Sequence, residues 1–293
     1  MNIITGASGQ VGSNIVREIT GKGFPVRAVV RNPAKVTFEN AEIVTADLFD
    51  AELLTKAFTG GKTVFLLTPE NPASNDIIGD TQKIVENYKK AIRATGIKRV
   101  VGLSCIGAHI EGNTGNIMMS SILEHAFDGM GLDTVFVRPS YYYSNWRGFL
   151  EVVEEYSVLP TFFPKNLKIE MHSPVDVAKF VAEIMTGNWS MHKKFYELAG
   201  PQQYSSQDVA NILSGLLHKN VIPQPVPQEE WKNTLLAAGF TENTANNLAD
   251  MTQAVIDNVA APQQPLNIIR LTTTLETYLD KQLKKINIHG SEI

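Results

Sequence analysis

The sequence predicts an α/β protein, a doubly wound parallel sheet followed by a smaller, mostly helical C-terminal lobe. Three observations predict it. Short apolar segments alternate with amphipathic ones through the first half of the chain, and strands joined by crossover helices must run parallel. A glycine-rich turn stands between the first strand and the first helix. After Arg138-Pro139 the alternation gives way to helical patterns separated by proline- and aromatic-rich stretches.

The strands of the first half are expected at 2–5, 26–31, 42–46, 63–67, 99–104 and 134–138, with helices over 10–20, 51–58, 77–94 and 117–129. Val11, Ile15 and Ile19 recur at the spacing of a buried helical face. Gly23 and Gly96 stand where helices should end. Further on, a helix is expected over 146–156 and a short irregular stretch over 159–164. Ser173 with Pro174 reads as a cap and first helical residue, and 195–198 as a strand. Ser205 or Ser206 should cap a helix running to Leu217. Residues 223–227 read as an extended connection, and helices start near Glu229, Glu242 and Thr273. The division is therefore a sheet-forming core over 1–140 and a lobe over 141–293 that sends elements back to the core, with no flexible linker between them.

Composition narrows the function classes. The chain has 293 residues, 43% hydrophobic and 19% charged, with a net charge of -4. It can bury a large core, and it lacks the basic footprint of a nucleic-acid binder. The lone Cys105 allows no internal disulfide and reads as a small buried hydrophobe. No apolar run is long enough to span a membrane, and no basic segment precedes the first strand, so a cytoplasmic location is the expectation. Neither a paired-Cys nor an H-E-x-x-H pattern occurs, so no metal site is expected. Gly102-Leu103-Ser104-Cys105-Ile106-Gly107 has the wrong glycine spacing for a hydrolase nucleophile. Glu151, Glu154 and Glu155 read as a solvated helix face, as do Lys83, Lys89 and Lys90.

The chemistry-bearing signal is Thr5-Gly6-Ala7-Ser8-Gly9-Gln10-Val11-Gly12. Placed between a strand and a helix, it is a dinucleotide turn of the Rossmann type. Gly6 permits a sharp turn, Gly9 lets backbone approach a pyrophosphate, and Gly12 brings the helix close to the sheet. Ser8, Gln10 and Val11 complete the cradle at the helix N-terminus, where unpaired N–H groups face phosphate. The second strand ends in Arg31, without the carboxylate that selects a free ribose. A guanidinium there grips a 2′-phosphate, so NADP(H) is expected over NAD(H). Asp47 and Leu48 after the third strand, and Leu67, Thr68 and Pro69 after the fourth, should line the crevice, because ligands bind beyond the carboxyl ends of such strands. Ser104, ending the fifth strand, is placed with them. Beyond the sixth strand, Tyr141, Tyr142 and Trp146 can stack on a flat acceptor and Asn145 can orient its carbonyl. Phe162, Phe163 and His172 are further candidates, with packing beneath the lobe as the simpler role for each.

Together these segments resemble the NmrA-like branch of the atypical short-chain dehydrogenase/reductases. The resemblance runs from 3–12 through Arg31-Asn32-Pro33, residues 94–101, Leu103-Ser104 and residues 131–139 to Asp176-Val177-Ala178 and Ala199-Gly200-Pro201. It implies a quinone or dye reductase using NADPH, or a redox sensor that binds the nucleotide without turnover. The implied partner is a flat aromatic or quinone acceptor, taken up by a monomer or homodimer, with neither nucleic acid nor membrane involved. In the wider superfamily a Tyr and a Lys four residues apart donate the proton to a carbonyl. Counting back from Glu124, which resembles the family's following acid, Asn116 and Ser120 hold those positions here. The catalytic residues are thus not identified. Sugar-nucleotide epimerisation, which relies on that tyrosine, is the weaker reading. Reduction of a conjugated acceptor, where placing two rings supplies much of the rate, is the stronger.

Overall fold

A computed structural model describes residues 1–187 and 194–290. In chain order the first half comprises β1 (Asn2–Ile4), α1 (Gln10–Gly21), β2 (Val26–Val30), β3 (Ala41–Thr45), α2 (Ala51–Phe58), β4 (Thr63–Leu67), α3 (Ile77–Thr95), β5 (Arg99–Leu103), α4 (Ile117–His125) and β6 (Asp133–Pro139). There follow β7 (Tyr141–Tyr142), α5 (Leu150–Tyr156), β8 (Val158–Thr161), β9 (Ile169–His172), α6 (Pro174–Thr186), β10 (Phe195–Ala199), β11 (Gln203–Tyr204), α7 (Ser206–Leu217), β12 (Ile222–Pro225), α8 (Trp231–Ala237), α9 (Glu242–Ile256), β13 (Ile269–Arg270) and α10 (Leu275–Gly290).

Eight strands form one parallel sheet in the order β13-β10-β6-β5-β4-β1-β2-β3. The chain starts at β1, runs outward to β3, and then returns to β4 on the other side of β1. That reversal opens a crevice above the carboxyl ends of β1 and β4. Alternation along the strands feeds two cores. Ile4, Phe65 and Val101 point toward α1 and α6, where Val11, Ile15, Val177 and Val181 are buried. Ile3, Val64, Leu66 and Val100 point the other way, toward Leu54, Phe58, Ile84 and Tyr88 of α2 and α3.

The capping signals act as read. Ser173 accepts the N–H of Val175 with Pro174 at the first helical position, and Ser205 with Asp208 forms a reciprocal capping box at α7. Gly96 closes α3 in the left-handed region at φ 70°. Asp50 and Asp76 cap α2 and α3. α1 is different: its cap is Gly9, which makes no side-chain bond.

Among the described residues the lobe is mostly helical, as expected, with six helices among short strands. It holds a three-stranded sheet, β11-β9-β7, and the parallel pair β12-β8. The extended connection expected over 223–227 is β12, paired from Ile222↔Val158 to Pro225↔Thr161. Its prolines are tolerated because β12 has a single neighbour, so a missing N–H can face away from the ladder. The helix expected over 146–156 divides into a 3₁₀ turn, Tyr143–Phe149, and α5. α4 stops at His125 instead of reaching Gly129. Lobe and core share the large sheet, since β10 lies against β6 and β13 against β10.

The hairpin of α8 and α9 lies across two loops of the core. Thr244 donates to Pro72 O at 2.7 Å, Thr241 donates to Ser74 O, and Asn243 Oδ1 accepts the N–H of Ile77 at 2.9 Å. Asn247 O accepts the N–H of Asn116. Gly115, at φ +58°, sits so close that a Cβ would stand 2.0 Å from Asn247 O. Among the described residues no helix is long and apolar enough to cross a membrane.

Candidate functional site

The three glycines of the first turn do different work. Gly6 has φ +59°, and a Cβ on it would lie 2.6 Å from Leu67 Cδ2. Gly12 lets α1 rest on the turn, since its Cβ would be 2.3 Å from the backbone oxygen of Gly6. A Cβ on Gly9 would meet only that same oxygen, at 3.3 Å, and Gly9 is exposed with Ser8 and Gln10. Packing thus demands glycine at 6 and 12, whereas at 9 it leaves the outward surface clear. The N–H groups of Gln10 and Val11 have no acceptor among the described hydrogen bonds, and no side chain caps them. Unpaired donors at the positive end of a helix form an anion cradle.

Arg31 follows β2, exposed and without an ion pair among the described residues. Lys35 stands nearby at the end of a short 3₁₀ turn capped by Asn32. Asp47 is half-buried and closes its own turn, one oxygen accepting Phe49 N at 2.9 Å. Consecutive residues of α3 hold the next two walls. Asn87 donates to Leu48 O at 3.0 Å and Tyr88 to Leu67 O at 2.9 Å. Thr68 and Pro69 continue from that fixed end of β4.

Ser104 does not offer its hydroxyl to the crevice. It donates to Glu124 Oε1 at 2.5 Å, while its N–H is bound to Val137 O. Glu124 also receives Nε and Nη2 of Arg138 at 2.7 and 2.6 Å, a bidentate pair buried against the Phe195 ring. Arg138 reaches Gln263 as well, and Glu197 accepts the N–H groups of Gln263 and Gln264. The acid that looks like a family landmark is thus the knot joining β5, α4, β6 and β10. A cavity of about 630 Å³ lies beside this pair, lined by His109, Met118, Phe127 and Phe136. The glycine turn contributes nothing to its lining.

Tyr141 and Tyr142 are neighbours on β7, so their side chains take opposite faces. Tyr141 packs edge-on against Trp146 and Phe163 at 5.9 and 5.4 Å. Its hydroxyl lies beside Asn145 and is pushed up to about 12 by burial. Trp146 is 1% exposed and donates its indole N–H to Met171 Sδ. It belongs to the lobe core with Leu159, Leu213 and Leu279. These two rings are therefore packing, not free stacking surfaces, and Asn145 is exposed beyond them. Phe162 stacks on Trp231, and Phe163 is buried. Tyr142 faces the other way. Its ring tilts on His172 at 4.6 Å, and its buried hydroxyl has no partner. His172 is fully buried, shares a hydrogen with Ser140 Oγ at 2.8 Å, and is held by burial to a pKa of about 3. It is a neutral packing residue.

Asn116 and Ser120 are both buried at the start of α4. Ser120 adjoins the Cys105 thiol, which burial pushes up to about 12. Asn116 adjoins the carboxyl of Glu70, and its Oδ1 has no partner. Glu70 and Cys105 both act electrostatically on Tyr142, whose hydroxyl burial raises. One cluster beyond the ends of β4, β5 and β6 thus gathers Glu70, Cys105, Asn116, Ser120 and Tyr142. Two of its buried polar atoms, on Asn116 and Tyr142, have no hydrogen-bond partner. Such orphaned atoms are costly unless something else binds them. Sequence reading did not find Glu70. Its only signal is its place in the loop after Pro69.

The sequence pattern described as the NmrA-like family matches residues 3–286. The chain is similar to the NAD(P)H azoreductase of Xenophilus azovorans, 23% identical over 86% of each chain. The fold matches NADPH-dependent quinone oxidoreductase QOR2 of Escherichia coli, solved with NADPH, at a TM-score of 0.79 and 23% identity. That match covers 97% of this chain and 99% of the other. It also matches the Citrobacter sp. triphenylmethane reductase complexed with NADP(H), at a TM-score of 0.76 and 23% identity, over 96% and 100%.

Proposed function

The chain belongs to the NmrA-like family, and on that premise we propose that it is an NADPH-dependent reductase of quinones or related conjugated acceptors. The observation that carries the reading is the cradle at α1. Uncapped N–H groups of Gln10 and Val11, the clear surface at Gly9, and the unpaired Arg31 fit the pyrophosphate and 2′-phosphate of NADPH. NADH, lacking the 2′-phosphate, binds more weakly. When bound, the reduced nicotinamide supplies a hydride to the acceptor.

The chain's own residues do the rest. Arg31 grips the 2′-phosphate, and the ends of β3 and β4, pinned by Asn87 and Tyr88, keep the crevice walls in place. Asp47 and Leu48 border the adenine end, and Leu67, Thr68 and Pro69 the ribose end. Tyr142, whose hydroxyl has no partner, donates to the oxygen of the acceptor. Fixing two rings in register supplies much of the rate, so the lobe packed on the core acts by holding position and excluding water.

Asn116 and Ser120, at the positions of the superfamily's Tyr and Lys, favour a second reading, a redox-sensing regulator that binds NADP(H) without turnover. One experiment separates the two. The loss of reduced-nicotinamide absorbance is followed with a panel of quinones, azo dyes and aldehydes, beside calorimetric titration of NADPH. Turnover with quinones or dyes supports the reductase. Tight binding without turnover supports the sensor.

A further inference from the structure

The cavity beside the Glu124–Arg138 pair is a recess that the nucleotide crevice does not use. Its volume of about 630 Å³ falls within the range of small-molecule sites, roughly 300–1,000 Å³. α4 is the wall between the two. Asn116 and Ser120 are buried on one side of that helix, with Ser120 beside Cys105. Met118, Ser121, Ile122 and His125 lie on the other side and line the cavity. Helical spacing requires this division, since residues four apart share a face and residues two apart do not. Neither the glycine turn, nor the ends of β3 and β4, nor β7 contributes to the lining.

The lining combines rings with charge. Phe127 and Phe136 supply flat apolar surface, and the Phe136 ring lies across β5 at Gly102, where a Cβ would stand 2.5 Å from it. The hydroxyls of Ser121 and Thr134 and the amide N–H groups of Gln263 make no hydrogen bond among the described residues. Among the described lining residues two cations, Arg138 and Lys194, face three carboxylates, Glu111, Glu124 and Asp128. Arg138 is spent on Glu124, and Glu197 stands behind it at 3.9 Å. Glu111 and Asp128 are exposed and make no ion pair among the described residues. The uncompensated charge is negative, so the recess draws a cation and disfavours an anion. Aromatic ring faces attract the same sign. We propose that this recess binds an aromatic amine in its cationic form, with the flat ring against Phe127 and Phe136 and the charge held by Glu111 and Asp128. The occupant is not the hydride acceptor. α4 separates it from the crevice, and hydride transfer needs the reacting atoms roughly 3–3.5 Å apart. The site therefore stands whether or not the chain turns over NADPH.

The test uses one ring with three charges. Naphthylmethylammonium, naphthylmethanol and naphthylacetate are titrated calorimetrically into the full chain at low salt, with and without NADPH. The ammonium should bind tightest, the acetate weakest, and the preference should shrink as salt is added. NADPH should leave the ammonium's affinity unchanged. Glu111→Gln combined with Asp128→Asn, both at exposed positions, should weaken the ammonium by about tenfold and leave the alcohol as it was. Ile122→Trp, which fills the recess from α4, should abolish binding of all three. Ser121→Trp does the same from the next position, should the first variant fail to fold. Binding of none of the three probes overturns the site. Equal affinities, or a preference for the acetate, overturn the cationic ligand. Displacement of the ammonium by NADPH places it in the nucleotide crevice and overturns the separate recess, as does unchanged binding in a folded tryptophan variant.

Discussion

His172 should make the fold sensitive to mild acid, and Asn in its place should remove that sensitivity. In an unfolded chain imidazole titrates near its ordinary value of 6.5, while burial in the fold holds it to about 3. Between those values the unfolded chain binds a proton that the folded one refuses. The group's contribution is therefore intact above about pH 6.5 and is lost as pH falls toward 3. At pH 5 the unfolded imidazole is protonated about thirtyfold more often than not, the folded one about a hundredfold less often than not. Integrating the difference gives a loss of about 2 kcal/mol by pH 5. Full burial means no solvent screening reduces it. In His172→Asn the amide can keep the bond to Ser140, placed like Nδ1, without titrating. Urea denaturation of both proteins at pH 7.5 and pH 5 gives the comparison, and other titrating groups cancel in the difference. Wild type should lose about 2 kcal/mol more than the variant over that interval. Equal losses would refute the argument that a neutral His172 is locked beneath the lobe.

Three further outcomes are expected. Arg31→Ala should weaken NADPH binding roughly ten- to a hundredfold and leave NADH nearly unchanged in a fluorescence titration, through loss of a charge-assisted contact. Equal wild-type affinities for the two would end the NADPH assignment. Gly9→Val should keep the melting temperature within a few degrees and lose nucleotide binding, whereas Gly12→Ala should lower the melting temperature, because its Cβ would meet Gly6 O at 2.3 Å. Cys105, with its thiol near 12, should carry about one part in ten thousand thiolate at pH 8 and resist iodoacetamide in the folded protein. Rapid alkylation would show a thiol open to solvent.

The core sheet was legible because its signals are local. The apolar runs of β4 and β5, the i, i+4 spacing of Val11 and Ile15, and the caps at Ser173 and Ser205 each lie within one turn or strand. The lobe was less legible. β7 is two residues long, too short for an alternation to show in sequence that Tyr141 and Tyr142 face opposite ways. The sequence allows Trp146 to stack on an acceptor or to pack in the lobe, and nothing nearby in sequence names its partners, Met171 and the lobe helices. Ser104 ends its strand as expected, but the acid that takes its hydroxyl lies twenty residues on. Glu70 meets Asn116 only through the side-by-side arrangement of β4 and β5, which no window of sequence displays.

The clamp made by the α8–α9 hairpin sets an order of assembly. Pro72 and Ser74, on the loop that carries Glu70, are gripped by Thr244 and Thr241, and Asn116 is gripped by Asn247. These partners are 172, 167 and 131 positions apart, so these three contacts form only after the α8–α9 hairpin is made. A nascent chain can pair its first six strands and still have a slack acceptor pocket until its last quarter emerges. Competence to act thus arrives later than the appearance of a sheet, and a chain cut before Thr241 would look folded by its secondary structure while its chemistry stayed unmade.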